Sequence, residues 1–208
     1  MNPITPQIVK GSIVVMDRKT GATQRIITLQ YNPDSLNRTL SANSADEGAD
    51  RLEANRLTGP PTETISLEAE LDAADQLEFP KDNETVVEVG LSAQLAALEI
   101  LLYPSSQAIK DADSLAGRGS IEILPAEAPM TVFSWGKNRL VPVRITEFSV
   151  VEEAFDIKLN PIRAKISLGM RVLSINDLPF NSYGGSLYMV FQEKQEQLAQ
   201  KATYESGQ

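Results

Sequence analysis

The chain has 208 residues, of which 42% are hydrophobic and 23% charged, and its formal net charge is -9. It contains no cysteine and no histidine, so disulfides, thiolate catalysis, serine–histidine hydrolysis and most zinc or haem sites are excluded. An acidic chain is poorly suited to the phosphate backbone of nucleic acids, and we therefore expect no nucleic-acid partner.

No stretch of the chain approaches the roughly 20 apolar residues that a membrane-spanning helix needs. Residues 1–6 also lack the basic and apolar regions of a secretory signal. These features predict a protein that is made and assembled in a cytoplasm and is not inserted into a membrane. Length alone leaves one large domain or two small domains open.

The first predicted element is a β-hairpin. Residues 8–17 and 23–31 are rich in β-prone side chains and flank the short polar turn 18–21, which ends in glycine. The second run stops at the Asn-Pro pair of residues 32–33, because proline cannot donate a hydrogen bond to a strand ladder. Residues 41–61 are predicted to form a long polar loop, which is either mobile at the surface or orders on assembly.

Regular spacing predicts a strand and a helix in the middle of the chain. Side chains of residues 64–72 alternate between apolar and polar, as in a strand with one buried face. Leucines recur at helical spacing within residues 92–102, where Ser92 is the predicted N-cap and a Tyr-Pro pair ends the helix. The other predictions here are a loop at residues 105–119 and short strands at residues 121–124 and 131–135, with Trp135 closing the core.

Residues 139–173 contain two long runs with strand character. The first is residues 140–148, and the second, residues 163–172, alternates strictly between apolar and polar side chains. We expect the acidic residues 152–156 to form a loop between the two strands, followed by a turn at the Asn-Pro pair of residues 160–161.

The last predicted element is a helix at residues 186–202, apolar early and polar later. The order of strands, one helix, strands and a terminal helix predicts a mainly β fold, a β-barrel or sandwich with one core α-helix and a C-terminal helix. We expect residues 1–180 to form one β domain with a polar loop insertion at about residues 41–61. Residues 181–208 are expected to form a helical extension.

Acidic side chains are the only candidates for catalysis. Glu152, Glu153 and Asp156 lie close in sequence, and paired carboxylates perform acid–base chemistry in glycosidases. Neighbouring glutamates on a strand point to opposite faces, so a solvated or ion-pairing edge is the preferred interpretation. A carboxylate-dependent glycan hydrolase and a barrel that binds a small ligand stay open as alternatives. No cofactor or metal site is predicted.

Four arginines crowd the two long runs: Arg139, Arg144, Arg163 and Arg171. They either cover a solvated face or pair with acidic side chains of a neighbouring copy, because the guanidinium fork matches a carboxylate. Two long charged strands without a nucleophile suit a scaffold that pairs with neighbours better than they suit an active site.

Two segments resemble a known family. Residues 29–36, LQYNPDSL, resemble the opening motif of tube and baseplate proteins of contractile injection systems, in which Asn-Pro follows alternating apolar residues. Residues 143–148, VRITEF, and residues 153–164, which end in NPIRA, resemble the closing strands of that family. The two segments lie in opposite halves of the chain.

The resemblance implies a tail-tube-like β-barrel with a helix, assembled with other copies of the same chain as a hexameric ring. It implies a structural, non-enzymatic baseplate adaptor that links the central spike to the inner tube and initiates the tube. Its partners would be the spike, inner-tube and baseplate proteins, and after cytoplasmic assembly it would be part of an injection particle. LysM-type relatives carry a LysM module after this domain, and none is visible here. The main inner-tube subunit is the alternative within this class.

The predicted subunit interface combines the first resembling segment with the charged side chains and the Asn-Pro turn of residues 139–173. Its members are Tyr31, Asn32, Pro33, Arg139, Arg144, Glu152, Glu153, Asp156, Asn160, Pro161, Arg163 and Arg171.

Overall fold

A computed structural model describes residues 8–43, 57–117 and 129–202 of the chain. The strands are β1 (Ser12–Met16), β2 (Thr23–Thr28), β3 (Leu36–Ser41), β4 (Thr62–Asp72), β5 (Met130–Trp135), β6 (Arg139–Phe155) and β7 (Pro161–Val172). The helices are α1 (Ala74–Leu77), α2 (Glu84–Val89), α3 (Ser92–Glu99), α4 (Ser106–Gly117) and α5 (Tyr183–Gln200). The mainly β fold with a core helix and a C-terminal helix is therefore confirmed.

The strands form one antiparallel sheet of seven in the order β2-β1-β5-β6-β7-β4-β3. The alternation predicted for residues 64–72 and 163–172 is present, because every second side chain of β4 and β7 is buried. The buried faces of β1, β4, β5, β6 and β7 share one core, against which α3 and α5 also pack. No helix among the described residues is long and apolar enough to cross a membrane.

The sheet curls until the end of β2 meets β4, although four strands separate the two in the sheet order. Contact is made by the side chain of Gln30, whose Nε2 donates to the Asp72 carbonyl at 2.7 Å and whose Oε1 accepts from the Asp72 N–H at 2.9 Å. The side-chain amide thus bonds the backbone N–H and carbonyl of Asp72 as a neighbouring strand would, although β2 and β4 are not paired. Asn32 connects the segment after β2 to the residues before β1. Its side chain accepts from the Gly11 N–H at 2.9 Å and donates to the Val9 carbonyl at 2.9 Å.

Replacing Gln30 by alanine should lower the free energy of unfolding by about 2 kcal/mol, because it leaves the backbone N–H and carbonyl of Asp72 without their partner. Urea unfolding followed by circular dichroism measures the change. Gln24→Ala on the exposed face of β2 is the matched control and should lie within about 0.5 kcal/mol of the parent. Equal losses for the two variants would contradict the closing role of Gln30.

Helix α3 lies over the curled sheet, with Leu95 and Leu98 buried in the core. Its first turn is fixed by the Leu91 N–H, which donates to the Pro161 carbonyl at the start of β7 at 2.9 Å. Just before it, Gly90 has φ 57°, and a Cβ built there would lie 2.4 Å from the same carbonyl oxygen. Only glycine fits this close approach between the α2–α3 connection and β7.

Several sequence predictions are wrong in detail. Residues 105–119 were expected to be a loop, but most of them form α4. The acidic residues 152–155 belong to β6, which keeps its register with β7 as far as Phe155 opposite Pro161, although Ala154 has a positive φ of 52°. Ser92 is not an N-cap, because Leu91 occupies that position without a side-chain cap.

Other elements differ from the prediction by extent or were not predicted. Strand β3 and the short helices α1 and α2 were not predicted. Helix α5 starts at Tyr183, where Ser182 caps it by accepting from the Gly185 N–H, and it buries Tyr188 and Phe191. Trp135 packs over Gly11 and stacks on Phe133 with ring centroids 5.8 Å apart, as predicted for a residue that closes the core. The strand predicted at 121–124 and residues 44–56 of the predicted polar loop lie outside the described residues.

Candidate assembly surfaces

The turn between β6 and β7 is fixed by the carboxylate of Asp156. Its Oδ1 accepts from the backbone N–H groups of Lys158 at 2.7 Å and Asn160 at 2.8 Å, and its Oδ2 accepts from the side-chain amide of Asn160 at 2.8 Å. The same amide donates to the Glu88 carbonyl at 3.0 Å, which ties the turn to the end of α2. The Asn-Pro pair predicted as an interface feature therefore anchors the turn inside its own chain, with Pro161 buried.

The anchored turn holds three apolar side chains in water. Phe155 is 49% exposed, Ile157 101% and Leu159 79%, and Leu159 is held in the left-handed region at φ 66°. We call residues 155–159 the hairpin tip. An apolar patch on a pre-ordered turn loses little conformational entropy when it docks, so the hairpin tip is suited to a protein contact.

The order of the hairpin tip should depend on pH. Hydrogen bonds from Asn160, ahead of that from Lys158, hold the pKa of Asp156 below its usual range. A carboxyl with a depressed pKa stabilises the folded form above its unfolded pKa and loses that contribution as pH falls through the folded pKa. Amide hydrogen exchange of Lys158 and Asn160 should therefore rise relative to the core amides as the pH falls below about 4. In Asp156→Ala the exchange should already be fast at about pH 6; protection equal to the parent would contradict this role.

On the outward face of β4, β6 and β7, the cationic side chains of β7 are paired within the chain. Arg163 donates to Asp72 at 2.8 Å and Lys165 contacts Glu153 at 3.2 Å. Farther along β7, Arg171 donates to Asp177 at 2.6 Å. That these side chains pair with charged side chains of a neighbouring copy stays a prediction. In such a contact, each would have to share the ion-pair partner that it already has within its own chain.

Arg144 and Glu152, by contrast, are exposed and have no ion-pair partner among the residues the structure describes. The β6–β7 register places Glu152 opposite Ala164 and Glu153 opposite Arg163, so the two glutamates point to opposite faces as predicted. They do not form a carboxylate pair across a cleft.

A groove of about 680 Å³ lies between the segment that follows β2 and the outward face of β4 and β7. Tyr31, Asn32 and Pro33 line one wall, and Glu70 and Lys165 lie on the other. Tyr31 is 46% exposed, whereas the Asn32 side chain is engaged by the start of β1. The three predicted residues thus form one wall of a polar surface groove.

Arg139 lies at the opposite end of β6 from the hairpin tip. It belongs to a partly buried cluster with Arg38 and Glu63, in which the Arg38 Nε donates to Glu63 at 2.6 Å. The Arg139 Nε is buried and has no hydrogen-bond partner among the described residues. Burial, followed by the charge of Arg38, lowers the pKa of the Arg139 guanidinium, and Glu63 opposes this effect.

Sequence reasoning missed Glu63, the acid of this cluster. A signal was present, because Glu63 continues the buried positions of β4 and is itself only 5% exposed. A glutamate on an otherwise apolar face requires a cation. The spacing of residues in the sequence does not identify the cation that pairs with Glu63, because Arg38 lies on β3 and Arg139 lies on β6.

No family model matches the chain, and no curated protein matches it. Among solved structures, it is similar to a chain from the tail of an empty gene transfer agent particle with C6 symmetry, at 10% identity and a TM-score of 0.30. A chain from the virion of the native gene transfer agent particle is similar at 11% identity and the same TM-score of 0.30. In each case the alignment covers 78% of this chain and 90% of the other. The similarity is weak.

The predicted interface residues fall into three places. The hairpin and its base hold Glu152, Glu153, Asp156, Asn160, Pro161 and Arg163, the polar groove holds Tyr31, Asn32 and Pro33, and the far end of the sheet holds Arg139, Arg144 and Arg171. The exposed apolar side chains of the hairpin tip were not predicted. They are what makes this end of the molecule suited to binding another protein.

Proposed function

We propose that the protein is a non-enzymatic structural adaptor that forms a ring between the central spike and the inner tube of a contractile injection system. One observation carries the proposal: the hairpin tip holds apolar side chains in water on a turn that is pre-ordered by Asp156 and Asn160. A solvent-exposed apolar knob on a rigid strand pair is useful to a protein that assembles.

Two further features support a structural role. The edges of β2 and β3 pair with no other strand of the described chain, so backbone donors and acceptors are open to a neighbour. The resemblance of residues 29–36, 143–148 and 153–164 to tube and baseplate proteins supports this kind of assembly. In this proposal the ring forms in the cytoplasm and then becomes part of the particle, with the spike, inner-tube and baseplate proteins as its partners.

Native mass spectrometry and electron microscopy of the purified chain test ring formation, and we expect closed rings of six copies. In intact particles, labelled antibody fragments should mark one ring at the junction of spike and tube. Copy numbers that grow with tube length would instead identify the main inner-tube subunit. Absence of the chain from the particle would overturn the proposal.

A further inference from the structure

The curled sheet contains an apolar cavity of about 270 Å³ beside β2. Its walls are residues 25–29, the inner face of β4 and the α3 residues Gln94, Ala97 and Leu98. Because five consecutive residues of the β2 segment line it, the cavity runs along the open edge of that strand rather than against one face. We call this cavity the β2 socket.

The walls of the β2 socket are apolar. An apolar cavity of this size leaves its lining side chains without dispersion partners, which close packing normally supplies. A matching group would therefore be apolar.

The rim of the β2 socket adds a charge. Arg25 is exposed and has no ion-pair partner among the described residues, and beside it Ile26 is 61% exposed. An occupant with an acidic side chain next to its apolar groups would therefore be favoured at this rim.

The hairpin tip and the strand behind it carry this combination of groups. Ile157 is fully exposed. Glu152 lies at the same end of the hairpin, is exposed, and has no ion-pair partner among the residues that the structure describes. An apolar side chain and an acid thus match the apolar walls of the socket and Arg25 at its rim.

We propose that the hairpin tip of one copy inserts Ile157 into the β2 socket of the next copy, with Glu152 facing Arg25. The contact joins two different surfaces, so it repeats head to tail from copy to copy and closes into a ring when the rotation permits. The inference rests on the proposed function, for which it names the contact between neighbouring subunits.

Cysteine cross-linking tests the contact directly, because the chain contains no cysteine of its own. One preparation carries Ile157→Cys and a second carries Ala97→Cys in the socket wall. After mixing and mild oxidation, we expect a disulfide-linked pair that contains one chain of each kind. Ile109→Cys on the exposed side of α4 replaces Ile157→Cys in the matched control and should give no such pair with Ala97→Cys.

Self-association measured by sedimentation supplies the second test. Ile157→Asp should raise the dissociation constant about thirtyfold or more, as for a central contact residue, while leaving the melting temperature unchanged because the side chain is fully exposed. Arg25→Glu and Glu152→Arg should each raise it about fivefold, and the two together should restore it to within about twofold of the parent. Val190→Asp on α5 also places a new charge at an exposed apolar position, and as the control it should leave the dissociation constant unchanged.

The outcomes separate the inference from the proposed function. Rings that form without the mixed disulfide and survive Ile157→Asp would overturn the contact proposed here while leaving the ring intact. A chain that stays monomeric at all concentrations would overturn the ring as well. A spike or tube protein that captures the hairpin tip in place of a second copy would also overturn the inference.

Discussion

Replacing Gly90 by alanine should lower the free energy of unfolding by about 3 to 4 kcal/mol. The new Cβ would lie 2.4 Å from the Pro161 carbonyl oxygen and 3.0 Å from the Asn160 Cβ, in a backbone conformation with φ 57° that side chains rarely adopt. This sparsely populated backbone region, with φ 57° and ψ -137°, costs about 1 to 3 kcal/mol for a residue other than glycine, and the overlap costs a further 1 to 3 kcal/mol. Thermal and urea unfolding measure the loss.

Gly136 provides a matched control for Gly90→Ala. Its φ is also positive, at 65°, but nothing lies within 4 Å of a Cβ built there. Gly136→Ala should therefore cost only the conformational part, about 1 to 2 kcal/mol. If the two variants lose the same free energy, the contact between the α2–α3 connection and β7 does not constrain the fold. Greater hydrogen exchange at Asn160 in Gly90→Ala would show that the hairpin tip loosens with it.

Replacing Glu63 by leucine should lower the free energy of unfolding by about 3 kcal/mol. The carboxylate is 5% exposed and binds Arg38 at 2.6 Å, so its removal leaves Arg38 and Arg139 facing each other without a counter-charge. Breaking a buried pair by removing one partner is costly in this way, whereas removing both charges is much less so. Arg38→Met combined with Glu63→Leu should recover part of the loss.

Glu68→Leu is the matched control for Glu63→Leu. It lies on the same strand but on the outward face, where it is exposed, and the substitution should change stability by no more than about 0.5 kcal/mol. Equal losses at the two positions would show that the cluster of Arg38, Glu63 and Arg139 is no more sensitive than the surface. Urea unfolding of the four proteins at neutral pH distinguishes these results.

The sequence predicts β4 and β7 well because each has one buried and one exposed face, and such alternation is visible in the residues themselves. Strand β3 escapes prediction because it is an edge strand with no buried residue. Helix α4 buries none of its residues, yet Ile109, Ala112 and Ala116 recur at helical spacing, so a signal for this helix was present in the sequence. Burial alone therefore does not decide which elements can be predicted.

The candidate site could likewise be predicted only in part from the sequence. The Asn-Pro turn and the charged strands could be found by inspection, yet their partners could not, because Asn160 binds Glu88 and Arg163 binds Asp72. These contacts join residues far apart in sequence, and their geometry exists only once the sheet has curled. Ile157 is exposed because Asp156 fixes the turn in this conformation, and no local pattern in the sequence predicts that exposure.

The position of β1 in the sheet has a consequence for synthesis on the ribosome. β1 pairs with β5, so that Ser12 lies opposite Ser134, and this pairing cannot form until the chain has been translated beyond Trp135. Until then the β1–β2 hairpin leaves the exit tunnel with one side of β1 open, while later strands are still being made. Such non-local pairing makes folding slow and exposes nascent strands to aggregation. A chaperone that shields the β1–β2 hairpin should therefore raise the yield of assembled protein more than one that acts after release.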